Sequence, residues 1–359
     1  MVDCDRWENG SFFHWVSYQD KAETCSPWSE NGAYFGSARD AFRCLLEYGC
    51  STRGWKRLWV PSYFCQEVVA TFISVGVEVC LYQDGPEDEN PLFDAIDMRP
   101  GDVLLRTNFF GLRDSLQNSA LNRNHIEVID DHTHDPWSDC AWNSDADWCV
   151  VSIRKVLPVP DGGILWSPCG HKLPPLPVST EEHQTACLEK LAAMMLKGMY
   201  LEGHPVDKET FRALDISGEA KMASERISAM PEWTNNLLNC FPIETWRNQR
   251  RTNHAALSEA LEDNSGLKVL QPVDITKSCP FSGIIVFDSA ERRDYVRQKL
   301  ISDGVYPAVL WPLENPVVCA IDPKHTRFSK RMLSIHCDMR YDPQDMARVA
   351  GLINKYSAS

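Results

Sequence analysis

The first half of the chain alternates short apolar runs with stretches of helical period. Between Arg39 and Tyr48, apolar Ala41, Phe42, Leu45 and Leu46 recur at helical spacing, which predicts a helix stopped by Gly49. Arg57 to Val60 reads as a strand ended by Pro61, Gln66 to Val75 as a helix ended by Gly76, and Val77 to Tyr82 as the next strand. Asp102 to Thr107 predicts a strand, Asp114 to Leu121 a helix, and Ile126 to Ile129 another strand. Trp148 to Ser152 and Gly163 to Trp166 predict two more. Strands separated by helices need crossover connections, so the pattern implies an α/β domain over about residues 30–200 with a mostly parallel sheet.

The pattern changes after Pro168. A proline-rich connector, Lys172 to Pro177, leads into long helical stretches at Glu181 to Tyr200, Ser217 to Asn239 and Ile243 to Leu261. A smaller α+β pattern follows: strand 281–287, helix 290–303, strand 332–337 and helix 342–355. The expected organisation is an N-terminal arm (1–30), a large domain with inter-domain helices (31–244) and a small C-terminal α+β domain (245–359). There is no internal repeat.

Charge and cysteine usage narrow the function classes. A net charge of -14 disfavours a nucleic-acid reader, whose footprint is usually basic, but leaves anionic small substrates open because a pocket can differ in sign from the surface. The 14 cysteines are scattered without a C-x-x-C pair, which gives no support to a zinc ribbon or thioredoxin-type site. Most of them read as small buried apolar residues of a reducing cytoplasm. No 18-residue apolar run suggests a membrane span, and the first residues lack a basic segment before an apolar core. A cytoplasmic protein that binds neither membrane nor nucleic acid is expected.

In open α/β sheets, ligands sit at the carboxyl ends of the strands. The segments there are 61–65, 108–111, 130–134 and 152–155. Lys155 follows an apolar strand, where desolvation would lower its pKa and make its amine a usable nucleophile; the plain alternative is a surface lysine. Asp130 and Asp131 could bind metal, relay protons or cap a helix. With His132 and His134 they suggest a metal, yet Asp-Asp-His-Thr-His lacks standard ligand spacing, and no metal is expected. Tyr34 to Ala41 enters a helix whose free N–H groups could bind an anion, with Ser37 as its cap.

Read together, these pieces resemble a known family. In chain order come Ser-x-Arg-Asp-Ala (37–41), Pro-Ser-Tyr-Phe-Cys (61–65), Asn-Phe-Phe-Gly (108–111), Asp-Asp-x-x-His (130–134), and Ser-x-x-Lys (152–155) before Asp-Gly-Gly (161–163). This order resembles the fold-type-I enzymes of pyridoxal 5′-phosphate (PLP), and within them the DegT-type sugar aminotransferases. The likeness extends through Arg226-Ile227-Ser228, Arg250 to Asn253, Tyr306 to Pro312 and Asp338 to Met346.

The resemblance implies the fold-type-I PLP-transferase architecture and a homodimer. It also implies PLP as cofactor and transfer of an amino group from a donor such as glutamate to a keto group on a nucleotide-linked sugar or related metabolite. Lys155 would carry the cofactor as a Schiff base and then serve as acid and base. Asp131 would pair with the protonated pyridine nitrogen, and His134 would lie near the ring. Ser152 and the α-helix start at Ala38, Arg39 and Asp40 would hold the phosphate, and Arg226 would reach the partner subunit's cofactor. The sequence departs from the family where an aromatic residue usually stacks on the ring: Cys65 stands there, so either Phe64 or the thiol covers the ring. Asp40 places a carboxylate beside the phosphate, so only its amide could serve. Glu225 replaces the usual asparagine before Arg226. Other PLP chemistry (a dehydratase, racemase or amino-acid-modifying enzyme) and a non-catalytic PLP-fold binding protein remain open. The retained Lys155 disfavours the sugar dehydratases, which carry histidine there. The roles of Trp311, Arg340 and Tyr341 are left open.

Overall fold

A computed structural model describes residues 6–358 apart from 17–24, 89–90, 92, 94–95, 118–120, 122, 124–125 and 225. In chain order the elements begin with β1 (Asn9–Gly10), β2 (Ala33–Phe35), α1 (Ala38–Thr52), β3 (Arg57–Pro61), α2 (Gln66–Val75), β4 (Glu78–Tyr82) and β5 (Asp102–Thr107). They continue with β6 (Glu127–Asp131), α3 (Asp139–Trp142), β7 (Trp148–Ser152), β8 (Gly163–Trp166), α4 (Glu181–Leu201), α5 (Lys208–Met222), α6 (Glu232–Leu238) and α7 (Ile243–Leu261). The last are β9 (Leu267–Val269), β10 (Gly283–Phe287), α8 (Ala290–Ser302), β11 (Val305–Tyr306), α9 (Pro323–Arg331), β12 (Met332–Ile335) and α10 (Pro343–Ser357).

Among the described residues, the large sheet has seven strands in the order β2-β8-β7-β6-β5-β3-β4. Strands β3 to β7 pair in parallel, and β8 runs antiparallel to both β7 and β2. The mostly parallel sheet expected from the sequence is therefore present. Its inner strands carry short apolar cores (Val103 to Leu105, Val128-Ile129, Trp148 to Val151, Ile164 to Trp166) because both faces are covered, whereas the edge strand β4 is only partly buried. On one face Val103, Leu105, Ile129, Trp148 and Val150 pack with Phe42, Leu45 and Leu46 of α1 and Phe72 of α2. On the other, Leu104, Val128, Cys149 and Val151 pack with Trp137, Trp166 and Trp246. A separate antiparallel sheet, β12-β10-β9, lies in the C-terminal part and packs its own core against α7, α8 and α10.

Three sequence expectations fail. Helix α1 does not stop at Gly49 but runs to Thr52. Gly49 is small because the Trp55 ring lies where a Cβ would be. The helix expected at 114–121 is absent over residues 114–117, while 118–120 lie outside the described residues. The long helix expected at 217–239 is split into α5 and α6. The chain between them docks on β2 instead, with Gly36 N–H donating to Ser228 O (2.8 Å) and Met230 N–H to Tyr34 O (3.0 Å).

The N-terminal segment is tied down through its main chain. β1 pairs in parallel with β11, and Gly10 N–H donates to Tyr341 Oη at 2.8 Å. The Phe12 carbonyl accepts from both Lys197 Nζ (2.8 Å) and Arg340 Nη1 (3.1 Å). Arg340 also forms a two-point pair with Asp338 (2.8 Å each), so its charge is matched inside the protein.

Candidate active site

The carboxyl ends of β3, β6 and β7 meet the start of α1 around one cavity of about 130 Å³. Its walls include Ala38, Arg39, Phe64, Cys65, Asp131, His134, Ser152 and Lys155. Thr133, Arg154, Phe281, Leu310 and Trp311 complete much of the lining. Positions as far apart as 38 and 311 thus converge, as the strand-end rule for such sheets requires.

Strand geometry decides what the paired carboxylates do. Successive residues of a strand face opposite sides. Asp130 points away from the cavity and is gripped by Arg106 (2.7 and 3.0 Å), with Ser144 Oγ donating at 2.7 Å. The Arg106 guanidinium holds its carboxyl well below the usual range against the cost of burial. Asp131 faces the cavity. Burial raises its pKa, opposed by the Thr133 N–H that donates to Oδ1 at 2.9 Å. Among the described residues it has no ion-pair partner. The histidines divide in the same way: His132 lies against Trp166, while His134 lines the cavity. The four groups of a metal site at 130–134 therefore do not share one space.

Lys155 follows β7 in a short 3-10 turn and opens into the cavity. Its residue keeps access to solvent, yet desolvation by the protein around its amine, then the neighbouring Arg154 charge, lowers its pKa to about 8. His134 Nδ1 accepts from the Phe110 amide at 3.0 Å, which leaves the proton on Nε2. Its ring lies between Phe281 (4.7 Å) and Trp311 (5.7 Å, stacked). Burial, then the Lys155 charge, lowers its pKa to about 3, so it is neutral.

The α1 end is built by close packing. Ser37 caps the helix. A Cβ on Gly163 would fall inside van der Waals distance of the Ser37 carbonyl and the Ala38 amide, so only glycine lets β8 approach this far. The first amides of a helix lack intrahelical acceptors, and those of Ala38 and Arg39 belong to residues lining the cavity. Asp40 corrects the sequence reading. Its amide donates to Ser37 Oγ (3.1 Å) and its carboxylate accepts from the same hydroxyl (2.9 Å). The cap thus consumes the amide, and Asp40 does not line the cavity. Arg226 is exposed and also stands outside the cavity. Glu225 lies outside the described residues.

Of the two candidates to cover a ring, both Phe64 and Cys65 line the cavity. Phe64 is buried and packs on Trp311 at 5.9 Å, while Cys65 is the half-buried residue before α2. Sequence reasoning missed Phe281 and Arg154 and left Trp311 without a role. Only Arg154, beside the lysine, carried a local signal.

A second cavity of about 230 Å³ adjoins the first, sharing Arg154, Lys155, Phe281 and Leu310. Ser11, Phe12 and Phe13 of the N-terminal segment cover it, and Lys190, Asp215, Ser334 and His336 stand in its walls. Lys155 thus forms part of the partition between two spaces.

The chain matches no protein-family model and no curated protein sequence. It does match solved structures. DesI, solved with its TDP-sugar product, is 17% identical, with a TM-score of 0.58 over 91% of this chain and 80% of that one. Spr1654 of Streptococcus pneumoniae, assigned as a sugar aminotransferase and solved in its PLP form, is 14% identical, with a TM-score of 0.61 over 91% and 87%. The aminotransferase TlmJ of Streptoalloteichus hindustanus is 13% identical, with a TM-score of 0.59 over 92% and 86%. At these identities the likeness is one of fold, and it establishes the α/β architecture expected from the sequence.

Proposed function

We propose that the protein is a PLP-dependent aminotransferase of the DegT type, using an amino acid such as glutamate as donor and a keto group on a nucleotide-linked sugar or related metabolite as acceptor. The observation that carries this is the pairing of Asp131 and Lys155 on one cavity: an enclosed carboxylate without a cationic partner, and an amine whose charge is disfavoured. The buried carboxylate is costly to leave without a partner, and the solvent-accessible Lys155 amine borders the same cavity. A protonated pyridine nitrogen beside Asp131 and an aldehyde at Lys155 would answer both, so the donor set fits the cofactor.

When bound, PLP supplies an electron sink for the charge left as a proton leaves the substrate carbon. This chain's residues do the rest. The amides of Ala38 and Arg39 and the Ser152 hydroxyl would hold the phosphate, and Asp131 would keep the ring nitrogen protonated. His134, neutral and fixed by the Phe110 amide, presents Nε2–H. Lys155, with a pKa of about 8, gives and takes protons near neutral pH without a large driving-force penalty. The apolar walls of Phe64, Phe281 and Trp311 exclude water. Spr1654, which shares this fold, was solved in both PLP and PMP forms, which supports the reading.

A homodimer belongs to the proposal. Arg226 is exposed and removed from the cavity of its own chain, as a residue serving a neighbouring subunit would be. The described cysteines are free, which supports a reducing cytoplasmic setting, and no helix among the described residues is long and apolar enough to cross a membrane.

The test is spectroscopic. Purified chain mixed with PLP should gain a visible absorption band, and borohydride should then fix the cofactor on the peptide containing Lys155. Lys155→Ala should lose both. Equal fixation in the variant would refute the assignment.

A further inference from the structure

The cofactor reading asks two residues of neighbouring strands to serve one rigid molecule. Asp131 ends β6 and would face the pyridine nitrogen, while Ser152 ends β7 and would face the phosphate. Their separation depends on how the two strands part.

Strands β6 and β7 pair in parallel as far as Asp131, opposite Val150, and the His132 N–H donates once more to Val150 O at 3.0 Å. There β6 turns away. The Thr133 N–H donates to Asp131 Oδ1 at 2.9 Å, and the His132 carbonyl accepts from the Asp135 N–H at 3.1 Å. That carbonyl would have been the next rung for the Ser152 amide. A buried amide must find another acceptor, and this one donates to Thr133 Oγ1 at 3.0 Å. The threonine hydroxyl thus stands in for a strand partner.

The same side chain acts on Asp131. A hydroxyl that accepts one hydrogen bond still has its own O–H to give. Burial raises the Asp131 pKa, and the Thr133 side chain is the foremost influence against that rise, ahead of the Thr133 N–H. The tie to Ser152 runs through its amide, and among the described residues the Ser152 hydroxyl has no hydrogen-bond partner, so it stays available to a ligand. Thr133 itself lines the cavity.

We propose that Thr133 is a positioning residue for the cofactor, its hydroxyl tying Ser152 to Asp131 so that the phosphate and ring-nitrogen contacts are held at one fixed separation. The inference rests on the aminotransferase reading and deepens it. No bond is made or broken by Thr133. Valine keeps the shape of threonine without the hydroxyl, and serine keeps the hydroxyl without the methyl group, so the two substitutions separate the tie from packing.

The experiment titrates the full chain with PLP, and in a parallel arm with pyridoxal, which lacks the phosphate, following absorption from pH 5 to 8. Thr133→Val should weaken PLP about tenfold, the worth of one or two lost hydrogen bonds, and pyridoxal less. Thr133→Ser should stay within about threefold of the parent chain. The acid side of the PLP affinity profile should also move to higher pH in Thr133→Val and not in Thr133→Ser. Without the hydroxyl Asp131 takes up a proton more readily, and a protonated carboxyl cannot pair with a pyridinium. The other charges acting on Asp131, His132 and Asp130, are unchanged in both variants. Melting curves show which variants fold, and Thr133→Ala takes the place of the valine variant should that one not. Parent-like PLP affinity in the folded variant that lacks the hydroxyl overturns the proposal. So does weaker binding with an unmoved pH profile, or an equal loss in Thr133→Ser, since either would assign a packing role. A parent chain that takes up no PLP sinks the aminotransferase reading and this role with it, whereas uptake by the parent with no effect of Thr133→Val sinks the role alone.

Discussion

Lys155 should be chemically conspicuous in the cofactor-free chain. Desolvation by the cavity walls and the Arg154 charge bring its pKa from 10.5 to about 8, although the residue itself is solvent-accessible. At pH 7.5 an amine with that pKa is about one-quarter neutral, against about one part in a thousand for an ordinary lysine. A lower pKa also reduces intrinsic nucleophilicity, yet a net excess in labelling of about tenfold or more should survive. The assay is trace acylation with an isotopic reagent from pH 6 to 11, with each lysine peptide quantified by mass spectrometry and exposed Lys56 as the internal reference. Labelling at Lys155 should rise with a midpoint near pH 8. Replacing Arg154 by glutamine should move that midpoint upward, because a like charge is removed. Linkage has a matching sign: between about pH 8 and 10.5 the unfolded chain alone holds this proton, so the folded state gains stability as pH rises through that window. A Lys155 profile superimposable on that of Lys56 would refute the reasoning about desolvation and the Arg154 charge.

Two further outcomes follow from the α1 end of the cavity. Gly163→Ala would press a methyl group into the Ser37 carbonyl and Ala38 amide, so it should cost about 1–3 kcal/mol in urea unfolding and weaken PLP more than pyridoxal, which lacks the phosphate. Equal loss for the two would show that the α1 amides do not read the phosphate. Asp40 is pushed up to about 6 by burial, with Ser37 opposing, so the folded state holds its proton more tightly than the unfolded one. Its stabilising contribution is full below about pH 4 and lost as pH rises through 6, a swing of about 3 kcal/mol at most. Asp40→Asn should flatten the stability profile over that window when urea unfolding is followed from pH 4 to 7.

Much of the large domain was legible because its signals are local. The doubly covered strands at 102–107 and 148–152 announce themselves through the apolar runs Val103 to Leu105 and Trp148 to Val151. Helix α2 ends at Gly76, whose left-handed backbone is a known stop. Gly49 sends the same signal falsely, because its smallness serves the Trp55 ring rather than a helix end. The 217–239 stretch misleads in a similar way: its apolar residues suit a helix, but hydrogen bonds to β2 compete for residues 228–230. At the site, the residues following strands were found because topology alone brings strand ends together. Phe281, Lys190 and Asp215 were not, since they reach the cavities from elements whose placement depends on tertiary packing. Asp40 was misjudged because only the observed cap shows where its amide goes.

The covering of the larger cavity by residues 11–13 has a consequence for redesign. Its principal ties are made by main-chain groups, at the Phe12 carbonyl and the Gly10 amide. The rings add to these ties, Phe12 under Lys197 (4.7 Å) and against Phe211 (6.1 Å), and Phe13 under Arg340 (4.4 Å), so a library at positions 12 and 13 that keeps aromatic residues retains the anchoring while reshaping the chamber.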